Sequence, residues 1–256
     1  MQLAFFKYQG TGNDFIMLDN REGSITLTTE QIVHACDRKF GVGSDGLVLL
    51  ESDSAEDFHM NFFNPDGSQS FCGNGSRCAV AFARRLGMVS NHGMFRAIDG
   101  VHAFTVNSDE IAIRMKDVEG VEWNEGHCII HTGSPHYIAR NEHPEELDVI
   151  AEGRLIRYSD SFKKDGINVN FVRFGDAELW MRTYERGVEN ETLSCGTGVT
   201  AAALSLASLQ PEVRAVRVHT RGGDLKVKLE PQADGGYHDI WLCGPAQFVF
   251  QGVIEL

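Results

Sequence analysis

The sequence predicts an α+β protein made of two duplicated domains. Each is expected to be a mostly antiparallel β-sheet or barrel wrapped around a central helix, with the functional site in the interdomain cleft. Three observations support this prediction: a motif that occurs twice, an alanine-rich apolar segment after each copy, and stretches in which polar and apolar residues alternate. The chain has 256 residues, which is enough for two modest domains.

The repeated motif is Cys-Gly-x-Gly, which occurs at residues 72–75 and again at residues 195–198, an offset of 123 residues. The same offset relates Asn13, in the loop G-T-G-N-D-F, to His136, in the loop G-S-P-H. Each half therefore carries a loop and a cysteine at equal spacing, which indicates an internal duplication. We place the domain borders as follows: residues 1–116, completed by a C-terminal strand at 249–256, and residues 117–248.

Hydrophobic patterning predicts the main elements. The segments after the two cysteines are apolar around most of their circumference, which is typical of helices enclosed by protein. Short apolar runs after the two loops, and three stretches with a period of two residues, predict strands with a buried face. These predicted strands lie at residues 15–18, 137–139, 102–106, 177–182 and 225–229.

Charge and composition exclude several classes of partner. The net charge of −13, with no concentrated stripe of Lys and Arg, would repel nucleic acid and anionic membrane surfaces. No apolar run is long enough to span a bilayer, and the first residues lack the features of a signal peptide. We therefore expect a cytoplasmic protein whose six cysteines are thiols and not disulfides.

Cys72 and Cys195 stand out because each precedes a Gly-x-Gly turn at a predicted helix N-terminus. Unpaired N–H groups and the helix dipole lower the pKa of a thiol in that position. The same N–H groups can hold a carboxylate that approaches the glycines closely. Inversion of an amino-acid α-carbon needs an acid and a base on opposite faces, and a duplicated domain supplies two such groups. The other four cysteines, Cys36, Cys78, Cys128 and Cys243, are expected to pack as small apolar residues.

Residues 64–78, N-P-D-G-S-Q-S-F-C-G-N-G-S-R-C, resemble the signature of diaminopimelate epimerases. The loops G-T-G-N-D-F and G-S-P-H, the stretch I-N-V-N-F, and Y-E-R-G followed by E-T-L-S-C-G-T-G match that family in order. The resemblance covers essentially the whole chain. It implies interconversion of LL- and meso-diaminopimelate by a two-base thiolate and thiol mechanism without pyridoxal phosphate, in the synthesis of lysine and of a cell-wall precursor. It also implies a homodimer and no cofactor or metal.

The resemblance further implies roles for individual residues. Cys72 and Cys195 would be the catalytic thiols, and His136 and Glu185 would tune them and hold the substrate ammonium. The residues expected to contact substrate are Asn13, Asn64, Gly73, Asn74, Ser134, Asn168, Glu185, Arg186, Gly196 and Thr197. Arg186 suits the distal carboxylate, since a guanidinium binds both oxygens.

Two departures from the family pattern bear on these roles. Ser134 stands where many members have Asn, so that a hydroxyl or a water would replace an amide contact. The segment between Tyr184 and Cys195 is one residue longer than usual, which leaves the position of that loop open.

Parts of the sequence also match the patterns of other sites and activities. Residues 41–46 match the dinucleotide fingerprint G-x-G-x-x-G, but a helical stretch precedes them and a strand follows, the reverse of the required order. His127 and His131 would face away from Cys128 on a strand, which disfavours a metal site. A proline-racemase-like or hydroxyproline-epimerase-like enzyme of the same fold is the nearest alternative activity, and a two-lobed amino-acid-binding protein is the alternative from another class.

Overall fold

The computed structural model describes residues 1–256, which divide into two compact units. The first unit comprises Met1–Ile113 together with Gly244–Leu256, and the second comprises Arg114–Cys243. None of the helices combines the length and the apolar character that a membrane-spanning helix needs.

The first unit is a sheet that winds around one helix. Its elements in chain order are β1 (Gln2–Gly10), β2 (Asn13–Asp19), α1 (Thr29–Cys36), β3 (Gly46–Glu51), β4 (Phe58–Phe63), α2 (Gly73–Arg85), β5 (His92–Ala97), β6 (Gly100–Asn107) and β7 (Glu110–Arg114). Successive strands are paired: β1–β2, β3–β4, β5–β6 and β6–β7 are antiparallel, while β2–β3 and β4–β5, each bridged by a helix, are parallel.

The second unit repeats this order of strands and helices. Its elements are β8 (Trp123–Asn124), β9 (His127–His131), β10 (Pro135–Arg140), a 3₁₀ turn (Pro144–Glu146), α3 (Val149–Arg157), β11 (Asn168–Phe174), β12 (Glu178–Glu185), β13 (Asn190–Thr192), α4 (Gly196–Leu209), β14 (Ala215–Thr220), β15 (Gly223–Pro231) and β16 (Tyr237–Pro245). Again β9–β10, β11–β12, β14–β15 and β15–β16 are antiparallel, and β10–β11 and β12–β14 are parallel.

The last strand, β17 (Gln247–Glu255), belongs to the first unit. It pairs antiparallel with β1 from Gln2 opposite Glu255 to Gln9 opposite Gln247. In the second unit β8 makes the corresponding pairing with β9. The C-terminus thus supplies to the first sheet a strand that the second unit takes from its own start.

The central helices are α2 and α4, and both are enclosed by the strands of their own unit. Every residue of α4 from Gly196 to Ala207 is buried, as is nearly every residue in the first three turns of α2. The sequence of α4 is apolar on all sides because all sides meet protein. The duplicated α+β fold with mostly antiparallel sheets is therefore confirmed.

Candidate functional site

In the first unit, a tight hairpin places Asn13. Thr11 and Gly12 connect β1 to β2 with φ values of 49° and 82°, which is the pattern of a two-residue turn with both central residues at positive φ. Asn13 directly follows this turn, and its Nδ2 donates to Asp45 Oδ2 at 2.6 Å. The Asn13 Oδ1 atom is thereby left to face the start of α2.

Cys72 is the N-cap residue of α2 and has an extended backbone. Its Sγ accepts a hydrogen bond from the Gly75 N–H at 3.3 Å, so the sulfur takes the place of the usual capping oxygen. Asn13 Oδ1 lies 4.0 Å from the same Sγ and accepts from Asn74 Nδ2 at 3.3 Å. Cys72 therefore has a backbone donor and an amide acceptor beside its sulfur.

A buried arginine holds the N-terminal turn of α2 in place. Arg77 is fully buried, and its guanidinium donates to Asn74 Oδ1 at 2.9 Å and to Thr11 Oγ1 at 3.3 Å. It also reaches the carbonyl oxygens of Gly73 and Pro245. Because Arg77 can only donate, it fixes Asn74 with Oδ1 toward itself and Nδ2 toward Asn13.

An ion-pair network supports Asn13 from behind. Asp14 binds the buried Lys7 at 2.7 Å and Arg38 at 2.7 Å, and Arg38 also reaches Asp45 at 2.6 Å. Burial by itself would raise the pKa of Asp14, but hydrogen bonds and charges from Arg38 and Lys7 outweigh it and lower that pKa to about 2. Arg38 bridges Asp14 and Asp45, and it therefore holds Asp45 in position as the acceptor for Asn13.

Asn64 lies in the turn that follows β4. Its Nδ2 donates to Ser68 Oγ at 3.1 Å, its Oδ1 accepts from Ser70 Oγ at 3.2 Å, and its backbone N–H donates to the Ser68 carbonyl. The hydroxyl of Ser68, in the turn N-P-D-G-S, and that of Ser70, two residues later, therefore hold the side chain in place.

In the second unit, Thr197 lies between Cys195 and His136. Cys195 is the N-cap residue of α4, and its Sγ lies 3.5 Å from Thr197 Oγ1. Thr197 Oγ1 lies 2.9 Å from Nε2 of the fully buried His136. Burial, with smaller contributions from the charges of His131 and Arg186, lowers the pKa of His136 to about 3, so the ring is neutral at neutral pH.

His136 is held on its other side by Asn170. The Asn170 Nδ2 atom lies 3.1 Å from His136 Nδ1, and Asn170 Oδ1 accepts from Thr183 Oγ1 at 2.9 Å. Gly198 allows this close packing, since a Cβ atom there would lie 2.6 Å from Asn170 Oδ1 and 3.2 Å from the imidazole. The second glycine of Cys-Gly-Thr-Gly is therefore required by packing of α4 against the His136 side chain.

Ser134, Asn168 and Arg186 form a polar cluster in the second unit. Asn168 Nδ2 donates to Ser134 Oγ at 2.8 Å, and Asn168 Oδ1 accepts from the Arg186 N–H at 2.9 Å. The exposed Arg186 guanidinium donates to the Asp165 carbonyl at 3.0 Å and lies 3.5 Å from Ser134 Oγ. Gly166, with φ of 74°, gives the Arg186 side chain room to pass. These three predicted residues lie together.

Glu185 is the last residue of β12, and its Oε2 accepts from Thr192 Oγ1 at 2.8 Å. Thr192 belongs to β13, which pairs with β12 so that Asn190 lies opposite Glu185. The segment whose length departs from the family pattern is thus a hairpin with a turn at residues 186–189.

Three of the other cysteines have the properties expected of packing residues. Cys78 is fully buried, and burial raises its pKa; burial also raises the pKa of Cys36, and raises that of Cys128 to about 12. These thiols are held in the neutral form. Cys243 is fully buried as well.

For several residues that support the site, no sequence pattern indicates the role that they have in the structure. Arg77 and Asn170 lie within recognisable motifs, S-R-C and I-N-V-N-F, but neither the depth of their burial nor their partners follow from the motif. Thr183 and Asp45 come from other strands and loops and meet their partners only through the sheet register.

Comparison with known proteins identifies the family. The family model described as diaminopimelate epimerase matches residues 5–119 and 128–249. A diaminopimelate epimerase from Flavobacterium psychrophilum is 46% identical over 98% of this chain and 100% of its own length, and one from Chlorobaculum tepidum is 41% identical over 96% and 99%.

Two solved structures share the fold at low identity. A hydroxyproline epimerase from Agrobacterium vitis superposes with a TM-score of 0.72 at 14% identity, covering 100% of this chain and 93% of its own. A PhzF-family phenazine biosynthesis protein from Bacillus anthracis also has a TM-score of 0.72 at 14% identity, with both chains fully covered. The matches to the family model and to close relatives run over nearly the whole sequence, and the chain belongs to the diaminopimelate epimerase family.

Proposed function

We propose that this chain interconverts LL- and meso-diaminopimelate, in the synthesis of lysine and of a cell-wall precursor, with Cys72 and Cys195 as acid and base. The observation that carries the proposal is that each cysteine is the N-cap residue of a buried central helix in one of two repeated units. Chains 46% and 41% identical over nearly the whole length carry the name diaminopimelate epimerase.

The proposed reaction moves one proton in each half-step. The thiolate of one cysteine takes the α-proton, so the C–H bond breaks, an S–H bond forms, and the electron pair spreads from the α-carbon into the carboxylate. The second cysteine then gives its own proton to the opposite face and becomes a thiolate. N–H groups at the starts of α2 and α4, those of Gly73, Asn74, Gly196 and Thr197, would bind the carboxylate as its charge grows. Glu185 and His136 would hold the substrate ammonium group, and Asn13 and Asn64 would contact the substrate.

The far end of the substrate is assigned to the Ser134, Asn168 and Arg186 cluster. Asn168 is held by Ser134 on one side and by the Arg186 backbone on the other, so its amide is already oriented. The exposed guanidinium of Arg186 offers paired donors suited to a carboxylate. A substrate with a second amino-acid end therefore fits this unit better than a small cyclic amino acid does.

The direct test is a stereochemical assay with purified protein, LL- or meso-diaminopimelate and no added cofactor. Formation of the other isomer from either starting compound supports the proposal, and conversion of 4-hydroxyproline with no conversion of diaminopimelate would favour the alternative activity. A Cys72→Ala variant that binds diaminopimelate but does not turn it over excludes a simple binding protein, because such a protein needs no thiol.

Heavy water tests the two-base step. The thiolate that removes the substrate proton keeps it on its own face, while the opposite thiol, exchanged with solvent, delivers deuterium. Early product should therefore contain α-deuterium, and recovered substrate should contain little. Mass spectrometry of both isomers in the first few per cent of turnover measures this, and substantial retention of hydrogen in product would refute two separate bases.

We further propose that the chain acts as a homodimer formed through β17. This strand exposes Phe248, Val249, Phe250 and Val253 by 40–67%. Its only charged residue is Glu255, in a chain whose net charge is −13, so a second copy could approach it without strong repulsion. Exposed apolar strands of this kind are usually covered. A Val253→Asp variant should run as a monomer in light scattering while the wild type runs as a dimer; equal masses would contradict the proposal.

A cytoplasmic location is part of the same proposal. The reaction needs one thiolate and one thiol, and a reducing compartment keeps both from oxidising. Cell fractionation with an antibody against the chain checks the location.

A further inference from the structure

The second unit contains a continuous row of buried hydrogen bonds that ends at Cys195. It runs from Thr183 to Asn170, then to His136, then to Thr197, with donor–acceptor distances of 2.9, 3.1 and 2.9 Å, and reaches Cys195 Sγ at 3.5 Å from Thr197 Oγ1. The four residues of this row, Thr183, Asn170, His136 and Thr197, are at most 8% exposed. We call these four residues the relay.

The donor and the acceptor in each hydrogen bond of the relay can be assigned from one group that can only accept. The Tyr137 carbonyl can only accept, and the Asn170 side-chain atom 3.3 Å from it must therefore be Nδ2. Asn170 Oδ1 then faces the Thr183 hydroxyl and accepts a hydrogen bond from it. The orientation of the Asn170 amide is fixed without reference to His136.

The fixed amide decides which nitrogen of His136 carries the proton. Because Asn170 Nδ2 is a donor, His136 Nδ1 must accept, and it has no proton of its own. The ring is neutral, since burial and the nearby charges of His131 and Arg186 hold its pKa near 3. Its single proton is therefore on Nε2 and is donated to Thr197 Oγ1.

Thr197 then has only one direction for its own proton. Its Oγ1 accepts the hydrogen bond from His136 Nε2–H and cannot donate back, and when Cys195 is a thiolate, which can only accept, the Thr197 hydroxyl donates to Cys195 Sγ at 3.5 Å. The Thr197 backbone is held as well, because its carbonyl accepts from Thr132 Oγ1 at 2.7 Å. A hydroxyl fixed in this way stabilises negative charge on the sulfur.

We infer that Asn170 and Thr183 are positioning residues, which keep the His136 proton on Nε2 and so direct the Thr197 hydroxyl at the Cys195 thiolate. The inference rests on the proposed role of Cys195 as an acid and base. In this arrangement His136 is a neutral hydrogen-bond donor. The proton removed from substrate goes to a cysteine sulfur and not to the imidazole. Neither positioning residue touches the reacting atoms.

The experiment compares four variants of the full chain. Asn170→Asp replaces the donor by an isosteric acceptor, which requires a proton on His136 Nδ1. Thr183→Val removes the hydroxyl that holds the amide, and Thr183→Ser restores it. Ser205→Ala is the matched control, because Ser205 is a buried hydroxyl of α4 that bonds only within its own helix, to Ala202 O at 2.7 Å.

Two readouts need no substrate. Nitrogen NMR of histidine-labelled protein, with His136 assigned from a His136→Gln variant, should give a protonated Nε2 and a bare Nδ1 in the wild type, and a protonated Nδ1 in Asn170→Asp. The rate of Cys195 alkylation by iodoacetamide at pH 7, measured by peptide mass spectrometry with Cys72 as internal reference, should fall about tenfold in Asn170→Asp. Thr183→Val should lower it by about threefold, and Thr183→Ser and Ser205→Ala should keep the wild-type rate.

The outcomes separate the inference from the proposed function. A wild-type proton on Nδ1, or unchanged Cys195 alkylation in both Asn170→Asp and Thr183→Val, would overturn the relay even if the enzyme epimerises diaminopimelate. If the NMR and alkylation results are as expected but diaminopimelate is not turned over, the inference about the relay stands and the proposed substrate is wrong. If Asn170→Asp does not fold, the Thr183→Val and Thr183→Ser pair, with the wild-type tautomer, decides the question.

Discussion

At the start of α2 the Cys72 sulfur accepts from a backbone N–H, that of Gly75, whereas at the start of α4 the Cys195 sulfur lies beside a side-chain hydroxyl, that of Thr197. The two units have the same strand order and the same Cys-Gly-x-Gly motif. The residue at each x position differs, Asn74 in one and Thr197 in the other, and so does its partner, Asn13 or His136. A duplicated backbone can thus keep one geometry around a sulfur while its hydrogen-bonding chemistry changes.

The hydrogen bonds that hold the first turns of α2 and α4 differ more than the immediate surroundings of the two cysteines do. The offset of 123 residues that relates Cys72 to Cys195 also relates Arg77 to Thr200. Arg77 reaches four acceptors in different parts of the first unit, whereas Thr200 bonds only to Gly196 one turn earlier. The first unit therefore depends on a buried cation, and the second on close packing around Gly198.

The largest effect is expected from removing that cation. Arg77→Met should lower the free energy of unfolding by about 3–5 kcal/mol, because it removes all four of the hydrogen bonds that the buried guanidinium donates. Thr200→Val, at the matching position, should cost about 1 kcal/mol or less. Urea unfolding of both variants measures the difference, and equal losses would contradict the contrast between the units.

The glycine at the fourth motif position gives the next largest effect. In Gly198→Ala the new Cβ meets Asn170 Oδ1, which Thr183 and Tyr137 hold in place, so the variant should lose about 2–3 kcal/mol of stability. In Gly75→Ala the nearest atom is the flexible end of Met60 at 3.2 Å, and the change should stay within about 0.5 kcal/mol. Thermal unfolding of the pair checks the ranking.

Mild acid should act first on the second unit. His136 has a folded pKa near 3, below its ordinary value of 6.5, so its contribution to stability is complete above pH 6.5 and is lost as pH falls from there toward 3. Between pH 7 and pH 5 this residue should cost the wild type on the order of 2 kcal/mol. The neutral variant His136→Gln should lack that part of the pH dependence. Urea unfolding at both pH values measures it, and parallel slopes for the two proteins would refute it.

Stronger acid should act on the first unit. The Asp14 pKa is lowered from 3.8 to about 2, so its contribution is complete above pH 3.8 and is lost as pH falls toward 2. Asp14→Asn should reduce stability at pH 7 by on the order of 1–2 kcal/mol, and the difference from wild type should shrink only below pH 4. A difference that shrinks already between pH 7 and pH 5 would place the acid sensitivity elsewhere.

The smallest effect is expected in the polar cluster of Ser134, Asn168 and Arg186, which belongs to the second unit. Arg186→Lys should raise KM for diaminopimelate about tenfold with little change in stability, because an ammonium cannot make the paired planar contacts of a guanidinium. Arg140→Lys is the control, since Arg140 is an exposed residue paired with Glu142. Unchanged kinetics in Arg186→Lys would put the residue outside the site.

The repeat and the hydrophobic pattern predicted the fold well, because both are local properties of the chain. The apolar segments after Cys72 and Cys195 became α2 and α4, and the predicted strands at residues 15–18, 137–139 and 102–106 lie within β2, β10 and β6. Ser134, Asn168 and Arg186 were each predicted through the family resemblance to contact substrate, and the structure shows that the three lie together. Their roles in binding stay predictions.

The supporting residues could not be predicted in the same way, because their function depends on contacts between distant segments. Thr183 reaches Asn170 only because β11 and β12 pair with these two residues directly opposite each other. Arg77 reaches Pro245, a residue 168 positions away, because the C-terminal segment returns to the first unit. Neither contact has a local sequence pattern.

The sequence by itself determined the duplication, the two central helices and the position of each cysteine at a helix start, since a motif and its periodicity are read along the chain. Only the tertiary structure decided which groups surround each sulfur. Burial and strand register set the neutral state of His136, the direction of the Asn170 amide and the orientation of Thr197, because a hydrogen bond has a direction only when its neighbours in space are fixed.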